Sequence, residues 1–251
     1  MSNTIYAFLL CSFAGLSTML GCFLIFIKGK KEKILIGALA FASGVMSCVS
    51  LIDLIPESIN YIGNKYTIFP TILITLIFIV IGIIISMTID KYLPETNQNN
   101  TKLYHVGIIS MLAIIMHNIP EGIATFMTST TNLKIGISLS IAIALHNIPE
   151  GISISMPIYA STKSRVKAIG YTFISALSEP FGAFLALLFL KNFMTDTLMG
   201  CLLSVIAGIM MHISFYELLP QSFKYKNKNI TISCFLFGSF FMIINHFLFS
   251  I

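Results

Sequence analysis

Long apolar runs follow one another along the whole chain, separated by short polar loops. Each run has about 20 residues or more, the length that an α-helix needs to cross a bilayer. The pattern predicts eight membrane-spanning helices, at residues 4–27, 34–57, 67–90, 104–127, 135–160, 166–190, 197–223 and 230–250. We therefore expect an all-α polytopic membrane protein.

The composition argues against a soluble domain. Of 251 residues, 56% are hydrophobic and 10% are charged, and the mean hydropathy is +0.91. A soluble domain carries about 25% charged residues. The five cysteines lie within the apolar runs without CxxC spacing, so we interpret them as small buried side chains. The basic residues lie in short loops, which argues against a nucleic-acid partner.

The distribution of lysine and arginine predicts the orientation of the chain. The loops after spans 1, 3, 5 and 7 contain twelve basic residues, and the opposite loops contain three. Basic loops remain on the cytoplasmic side, so both termini are predicted to lie outside the cell membrane. The twelve are Lys28, Lys30, Lys31, Lys33, Lys91, Lys102, Lys163, Arg165, Lys167, Lys224, Lys226 and Lys228, and the three are Lys65, Lys134 and Lys191.

Two pairs of similar segments indicate an internal repeat. LSTMLGCFL at 16–24 resembles LSEPFGAFL at 177–185, and SLIDLIPES at 50–58 resembles SFYELLPQS at 214–222. The copies lie 161 and 164 residues apart and would cross the membrane in opposite directions. We predict one transporter domain, 1–251, in a 3+2+3 inverted repeat: residues 1–92, a central pair of helices at 104–160, and residues 166–251. The substrate site of such folds lies near the midplane.

The hexapeptide HNIPEG occurs in the middle of both central spans, at 117–122 and 146–151. Within each copy the histidine and the glutamate are four residues apart, so they share one helix face. Because the two spans are antiparallel, we expect His117 to lie level with Glu150, and Glu121 level with His146.

Several costly polar groups accompany these motifs. A carboxylate in a span costs at least about 2.5–3.5 kcal/mol by insertion scales. The acids that lie inside spans or near their ends include Asp53, Glu57, Glu121, Glu150, Glu179 and Glu217. Glu179 of span 6, like the motif glutamates, adjoins a proline, and we predict that it forms the third wall of the site. Prolines 120 and 149 each leave a helix carbonyl without its usual donor, which predicts a kink at each motif.

The donor atoms predict a metal site. Imidazole nitrogen, carboxylate oxygen and amide oxygen suit Zn²⁺, Fe²⁺, Mn²⁺ or Co²⁺ and argue against a soft Cu(I) site. Three glutamates exceed the charge of one divalent ion, so the site either holds two ions or keeps one glutamate protonated. The predicted metal residues are His117, Asn118, Glu121, His146, Asn147, Glu150 and Glu179.

Further acids predict a route through the membrane. Asp53 and Glu57 lie at the outer end of span 2, and Glu217 lies at the inner end of span 7 with His212 about one turn away. This placement predicts entry acids, a central site and an exit acid. Hydrogen-bonded packing is an alternative for His212, and a solvated helix end is an alternative for Asp53 and Glu57. His246 is interpreted as a packing residue.

The motifs MHNIPEG at 116–122, LHNIPEG at 145–151 and SEPFG at 178–182 resemble those of the ZIP family of divalent-metal transporters, in its bacterial ZupT/GufA-like branch. The resemblance covers essentially the whole chain. It implies import of zinc and often iron, manganese or cobalt, with the seven predicted metal residues forming a central site for one or two ions. It also implies an elevator-like movement of spans 1, 4, 5 and 6 against 2, 3, 7 and 8, and frequent homodimers.

Two other functions compete with a metal carrier. Histidine and carboxylate can also activate a metal-bound water, which would make the chain an intramembrane zinc hydrolase. No HExxH motif is present, and the ligands repeat without a separate general base. A cation channel is the third possibility, and flux measurements distinguish it from a carrier.

Overall fold

The computed structural model of the chain describes residues 2–28, 31–92, 99–188, 195–225 and 227–249. Within these ranges, eight helices are long and apolar enough to cross a membrane, which confirms the predicted polytopic all-α fold. Lys30, Lys191 and Lys226, which entered the charge count, lie outside the described residues, and the outside position of the termini stays a prediction. The spans are Asn3–Phe26, Glu32–Gly63, Ile68–Ile89, Leu103–Thr131, Leu133–Thr162, Arg165–Leu188, Asp196–Phe223 and Lys228–Phe249.

Span 2 is longer than the hydropathy pattern predicts. It continues to Gly63 because its last turns are amphipathic, with Ser58 and Ile62 buried against span 7. Packing of an amphipathic face stabilises a helix beyond its apolar run. Asp53 and Glu57 therefore lie within the helix, one turn or more before its end, rather than at the end itself.

The spans form two packed groups. In the first group, spans 4 and 5 pack against each other, and spans 1 and 6 lie across them. In the second group, span 2 packs along span 8 and span 3 packs along span 7. Span 5 also contacts span 2 and joins the groups. Both HNIPEG motifs lie in the first group, so the candidate site belongs to it.

Glycines form the closest helix crossings in the first group. A Cβ atom on Gly122 would collide with the backbone oxygen of Glu179, and one on Gly151 would collide with that of Thr18. Small residues allow such close approach of two backbones in membrane helices. The two crossings correspond to each other, since Glu179 lies 161 residues after Thr18, the offset found between the sequence copies.

The second group contains a similar pair of crossings. A Cβ atom on Gly44 would collide with the backbone oxygen of Phe235, and one on Gly208 would collide with that of Ile79. Gly208 lies 164 residues after Gly44, the other offset between the copies. Crossings in both groups thus follow the sequence repeat.

Helix irregularities follow the same repeat. Span 1 changes from α-helix to 3₁₀ helix at Thr18, and span 6 is interrupted at Leu177. Spans 2 and 7 each contain a π-helical segment, Ser50–Leu54 and Ile213–Leu218. The matching positions are consistent with the predicted inverted repeat. Such π segments are frequent at functional sites, and one of them contains Asp53.

Candidate metal centre

A one-residue connection holds the two motif helices together. Span 4 ends at Thr131 and span 5 begins at Leu133, with Asn132 in an extended conformation between them. The Asn132 side-chain oxygen accepts hydrogen bonds from the backbone N–H groups of Lys134 and Ile135, at 3.1 and 3.3 Å. This N-cap begins span 5 at once, so the spans are antiparallel neighbours and their motifs lie at similar depth.

The motif side chains meet across the two helices. Nε2 of His146 lies 3.1 Å from Oε1 of Glu121, and Nε2 of His117 lies 3.7 Å from Oε1 of Glu150. Within span 4, Nε2 of His117 lies 3.5 Å from Oε2 of Glu121. The expected level pairing of each histidine with the opposite glutamate is therefore observed, and Glu121 lies between both histidines.

These distances fit a small divalent cation. Ligand atoms of His117, Glu121 and His146 all lie within 4.8 Å of one another. With metal–ligand bonds of about 2.0–2.2 Å, the edge of a tetrahedral site is about 3.4 Å long, close to the observed 3.1–3.7 Å separations. Small side-chain shifts would bring nitrogen and oxygen donors around one ion.

The centre is buried, and its polar atoms are only partly hydrogen-bonded. The side chains of His117 and Glu150 are each 1% exposed, and that of Glu121 is 13% exposed. Among the described residues, neither carboxylate oxygen of Glu150 has a hydrogen-bond partner, and nor does Nε2 of His117, the nitrogen that faces the two glutamates. Buried polar atoms are rarely left unpartnered, and a bound cation would satisfy these.

Glu179 joins the centre through an amide. Nδ2 of Asn147 donates to Oε2 of Glu179 and to the backbone oxygen of Ala14, both at 2.9 Å. Glu179 is fully buried, but it is not one of the three residues whose ligand atoms cluster within 4.8 Å. The second motif asparagine, Asn118, is also fully buried, and both of its side-chain polar atoms lack a protein partner among the described residues.

A cavity of about 470 Å³ leads to this centre from the side of the predicted outer loops. Glu121 and His146 line its deep end, and Asp53, Glu57 and Asn60 of span 2 line its wall. The structure thus brings the two predicted entry acids into the same cavity as two predicted metal residues.

A histidine of span 8 belongs to the same cavity. Nδ1 of His246 makes a hydrogen bond to Oδ1 of Asp53, and both residues line the cavity together with Asn245. The sequence predicted a packing residue at His246, because nothing in a single apolar run indicates which span it faces. The structure instead places it in the cavity wall. The adjacent polar pair Asn245–His246, late in an apolar run, is the only local signal.

Comparison with known proteins identifies the family. The model of the family described as ZIP Zinc transporter matches residues 94–246. The chain belongs to the ZIP family. Three relatives described as Zinc transporter ZupT place it in the ZupT branch. The relative from Clostridium perfringens is 36% identical over 278 residues, which cover 99% of this chain and 98% of the relative. Those from Chlorobium limicola and Oceanobacillus iheyensis are 38% and 39% identical over 254 residues, which cover 95% and 92% of this chain and 96% and 93% of the relatives.

Membership of the ZIP family makes this chain a transporter rather than an enzyme, which argues against the intramembrane hydrolase. The relatives match along almost the whole chain, so the resemblance noted in the motifs extends to all eight spans.

The predicted exit residues of this ZIP chain are outside the lining of the cavity that reaches the centre. Nδ1 of the buried His212 is 2.9 Å from Oγ of Ser86 in span 3, and its ring stacks on Tyr216 with centroids 5.0 Å apart. Glu217 is half-buried in the π-helical segment of span 7. Neither His212 nor Glu217 lines the cavity that reaches Glu121, so their role in an exit route stays a prediction.

Proposed function

We propose that this ZIP chain carries divalent metal ions, zinc foremost, across the cell membrane into the cytoplasm. The observation that carries the proposal is the convergence of His117, Glu121 and His146 at the deep end of a cavity open towards the predicted outer side. The names of the relatives support zinc as the substrate. The same donors suit Fe²⁺, Mn²⁺ and Co²⁺, which we propose as secondary substrates.

The proposed route begins at the cavity wall. Asp53 and Glu57 attract the ion from the outer solution, and together with the imidazole of His246 they replace part of its hydration shell. The ion then passes to Glu121 and His146, the two motif residues that line the cavity. Charged groups that line a narrow cavity raise the local concentration of a counter-ion, so these residues increase the rate of loading.

At the centre, buried groups enclose the ion. His117 and Glu150 complete the ligands supplied by Glu121 and His146, while Asn147 holds Glu179 close by. With several carboxylates and one divalent ion, a second ion or a proton balances the remaining negative charge. Glu217 and His212 are proposed to assist release to the cytoplasm.

Release requires that the centre open to the other side. We propose that spans 1, 4, 5 and 6 move as one group against spans 2, 3, 7 and 8, since each group is joined internally by close backbone crossings. Nδ2 of Asn245 in span 8 donates to the backbone oxygen of Ala142 in span 5 at 3.1 Å, and this bond between the groups would break during the movement. A homodimer, implied by the family resemblance, stays a prediction.

Zinc uptake into proteoliposomes tests the function. We expect the purified chain to produce saturable uptake, reported by a zinc-sensitive dye inside the vesicles, with competition by iron, manganese and cobalt. The double variant His117→Ala and His146→Ala serves as the inactive control. Absence of uptake by the native chain would contradict the proposal, and flux that rises in proportion to the gradient without saturation would favour the channel.

Replacing Asp53 with asparagine is expected to raise the KM for zinc uptake several-fold and to change the maximal rate less. The substitution removes a charge from the cavity wall, where it assists loading, and leaves the central ligands intact. Uptake measured over a range of zinc concentrations separates the two effects. Asp196→Asn is the matched control, because Asp196 is also an acid near the outer loops but is bonded to Asn64 and lies outside the lining of this cavity. An unchanged KM in Asp53→Asn would show that the acid does not serve entry.

A further inference from the structure

Span 8 carries two adjacent polar side chains near its C-terminal end, and they contact different groups of helices. Consecutive residues of an α-helix point about 100° apart, so Asn245 and His246 face different neighbours. Asn245 is 2% exposed and reaches Ala142 of span 5, in the first group. His246 reaches Asp53 of span 2, in the second group. All four residues line the cavity that leads to the metal centre.

The contact made by Asn245 crosses the boundary between the two groups. Its Nδ2 donates to the backbone oxygen of Ala142 at 3.1 Å. Two residues farther along span 5, the backbone oxygen of Ala144 accepts a bond of the same kind from Oγ of Ser17 at 2.9 Å. Ser17 lies in span 1, within the first group. A movement of the first group as one body would therefore keep the bond of Ser17 and break that of Asn245.

The bond attaches span 8 to the helical turn that carries a proposed metal ligand. In an α-helix, the backbone N–H of residue 146 bonds to the carbonyl of residue 142, and a carbonyl oxygen can accept a second bond. Asn245 thus holds the turn on which His146 stands, and His146 lines the cavity together with Glu121. The bond favours the arrangement in which both residues face the predicted outer side.

The strength of this contact suits a bond that is made and broken in each transport cycle. Besides Ala142, Nδ2 of Asn245 has a contact of 3.7 Å with Sδ of Met242, which is a weak acceptor. Oδ1 of Asn245 has no hydrogen-bond partner among the described residues. A single neutral hydrogen bond changes an equilibrium roughly 2- to 12-fold. That is enough to favour one arrangement of the groups and too little to prevent their movement.

We propose that Asn245 is a latch that holds the first group in the arrangement open towards the outer side, and that a divalent ion arriving at Asp53 releases it through His246. This inference rests on the proposed function. It makes Asn245 a positioning residue for transport, which acts on the turn of His146 and is not itself a ligand of the ion.

Release follows from a change in the spacing between Asp53 and His246. Oδ1 of Asp53 is hydrogen-bonded to Nδ1 of His246, and an ion bound between these atoms replaces the proton of that bond. An N–H···O bond holds its heavy atoms about 2.7–3.2 Å apart, whereas an ion with bonds of about 2.0–2.2 Å holds two ligands about 3.4 Å apart. The ion thus displaces His246 from Asp53, and the adjoining backbone passes the shift to Asn245.

This exchange of contacts gives the ion an influence on the movement. A ligand shifts the balance between two arrangements only when it interacts differently with each of them. An ion at Asp53 is compatible with the released position of span 8 and not with the latched one. The movement of an empty first group is therefore disfavoured, and that of a loaded one is allowed.

The distance between two spin labels tests the latch. The labels are carried on unnatural amino acids at positions 65 and 134, so that the five native cysteines are not labelled. Lys65 follows span 2 of the second group, Lys134 lies at the start of span 5 of the first group, and both are exposed. Electron double resonance on the reconstituted protein then gives the populations of the latched and released arrangements, with and without zinc.

Asn245→Leu is expected to raise the released population roughly 2- to 12-fold in the absence of zinc, because it removes the donor and keeps the volume. Zinc should raise the released population of the native protein and add little in the variant. The KM for zinc uptake should increase, since a smaller fraction of the protein is open towards the outer side, while the maximal rate is retained. Asn245→Ala provides the same test if Asn245→Leu does not fold.

His246→Phe tests the second part of the proposal. It leaves the bond of Asn245 in place and removes the side chain through which the ion acts. We expect saturating zinc to bind this variant and to leave its distance distribution unchanged. A zinc response equal to that of the native protein would overturn the release through His246.

Ser239→Ala is the matched control for the latch. Ser239 also lies in span 8, and its hydroxyl donates to the backbone oxygen of Gly44 at 3.3 Å, but that bond stays within the second group. Its variant should have native populations. Native populations in Asn245→Leu, or a fall of the maximal rate with an unchanged KM, would overturn the latch. A native protein whose distances respond to zinc but which takes up none would contradict the proposed function alone.

Discussion

Replacing Glu121 with glutamine is expected to lower zinc uptake on the order of 100-fold or more, since loss of even an outer-shell partner costs 10–100-fold. Among the described residues, Glu121 is the one carboxylate that lies within 3.5 Å of both motif histidines. The substitution keeps the volume of the side chain and removes its charge. It therefore removes the proposed anionic ligand without opening a cavity. Uptake into proteoliposomes measures the loss of transport, and zinc titration of the purified protein measures the loss of binding.

Glu32→Gln is the control for this substitution. Glu32 is an exposed acid at the start of span 2, outside the cavity that reaches the centre. We expect its variant to retain native uptake. Glu150→Gln and Glu179→Gln should approach the loss seen in Glu121→Gln. Native zinc affinity in Glu121→Gln would contradict the metal centre itself.

Replacing Gly151 with alanine is expected to prevent stable folding of the first group of helices. The new Cβ would collide with the backbone oxygen of Thr18, and a backbone atom cannot move aside as a side chain does. Overpacking costs about 1–3 kcal/mol where side chains can adjust, so a greater loss is expected here. Thermal unfolding in detergent, followed by size-exclusion chromatography with fluorescence detection, should show a decrease in Tm on the order of 10 °C or complete loss of the folded peak.

Gly170→Ala is the matched control, because it is the same substitution in a helix of the same group. Apart from the adjoining backbone of its own helix, no atom of the described residues lies within 4 Å of the Cβ position at Gly170. Alanine there should therefore be neutral or stabilising by up to about 1 kcal/mol. Gly122→Ala, at the corresponding crossing with Glu179, should behave like Gly151→Ala. Equal Tm values for Gly151→Ala and Gly170→Ala would contradict the close crossing.

The pairing of His117 with Glu150 could be predicted from the sequence because two antiparallel helices of known spacing constrain it. The contact of Asp53 with His246 could not be predicted, since 193 residues separate them. No local pattern shows which face of span 2 packs against which face of span 8. The extension of span 2 to Gly63 also depends on contacts with a distant segment, so the sequence pattern did not predict it. Its last turns are stabilised by packing on span 7, whereas a hydropathy pattern detects only continuous runs of apolar residues.

The eight spans, the types of donor atom and the family could be predicted from the sequence alone. Apolar length, residue type and motif spacing are local properties of the chain, so they do not depend on how the helices pack. Tertiary structure decided which of these donors meet. It placed Glu121 between the two histidines and hydrogen-bonded Asn147 to Glu179. It also buried Asn118, whose side chain has no hydrogen-bond partner among the described residues. Those outcomes depend on how far each helix is rotated and shifted against its neighbours, and the glycine crossings fix that register through contacts between distant parts of the chain.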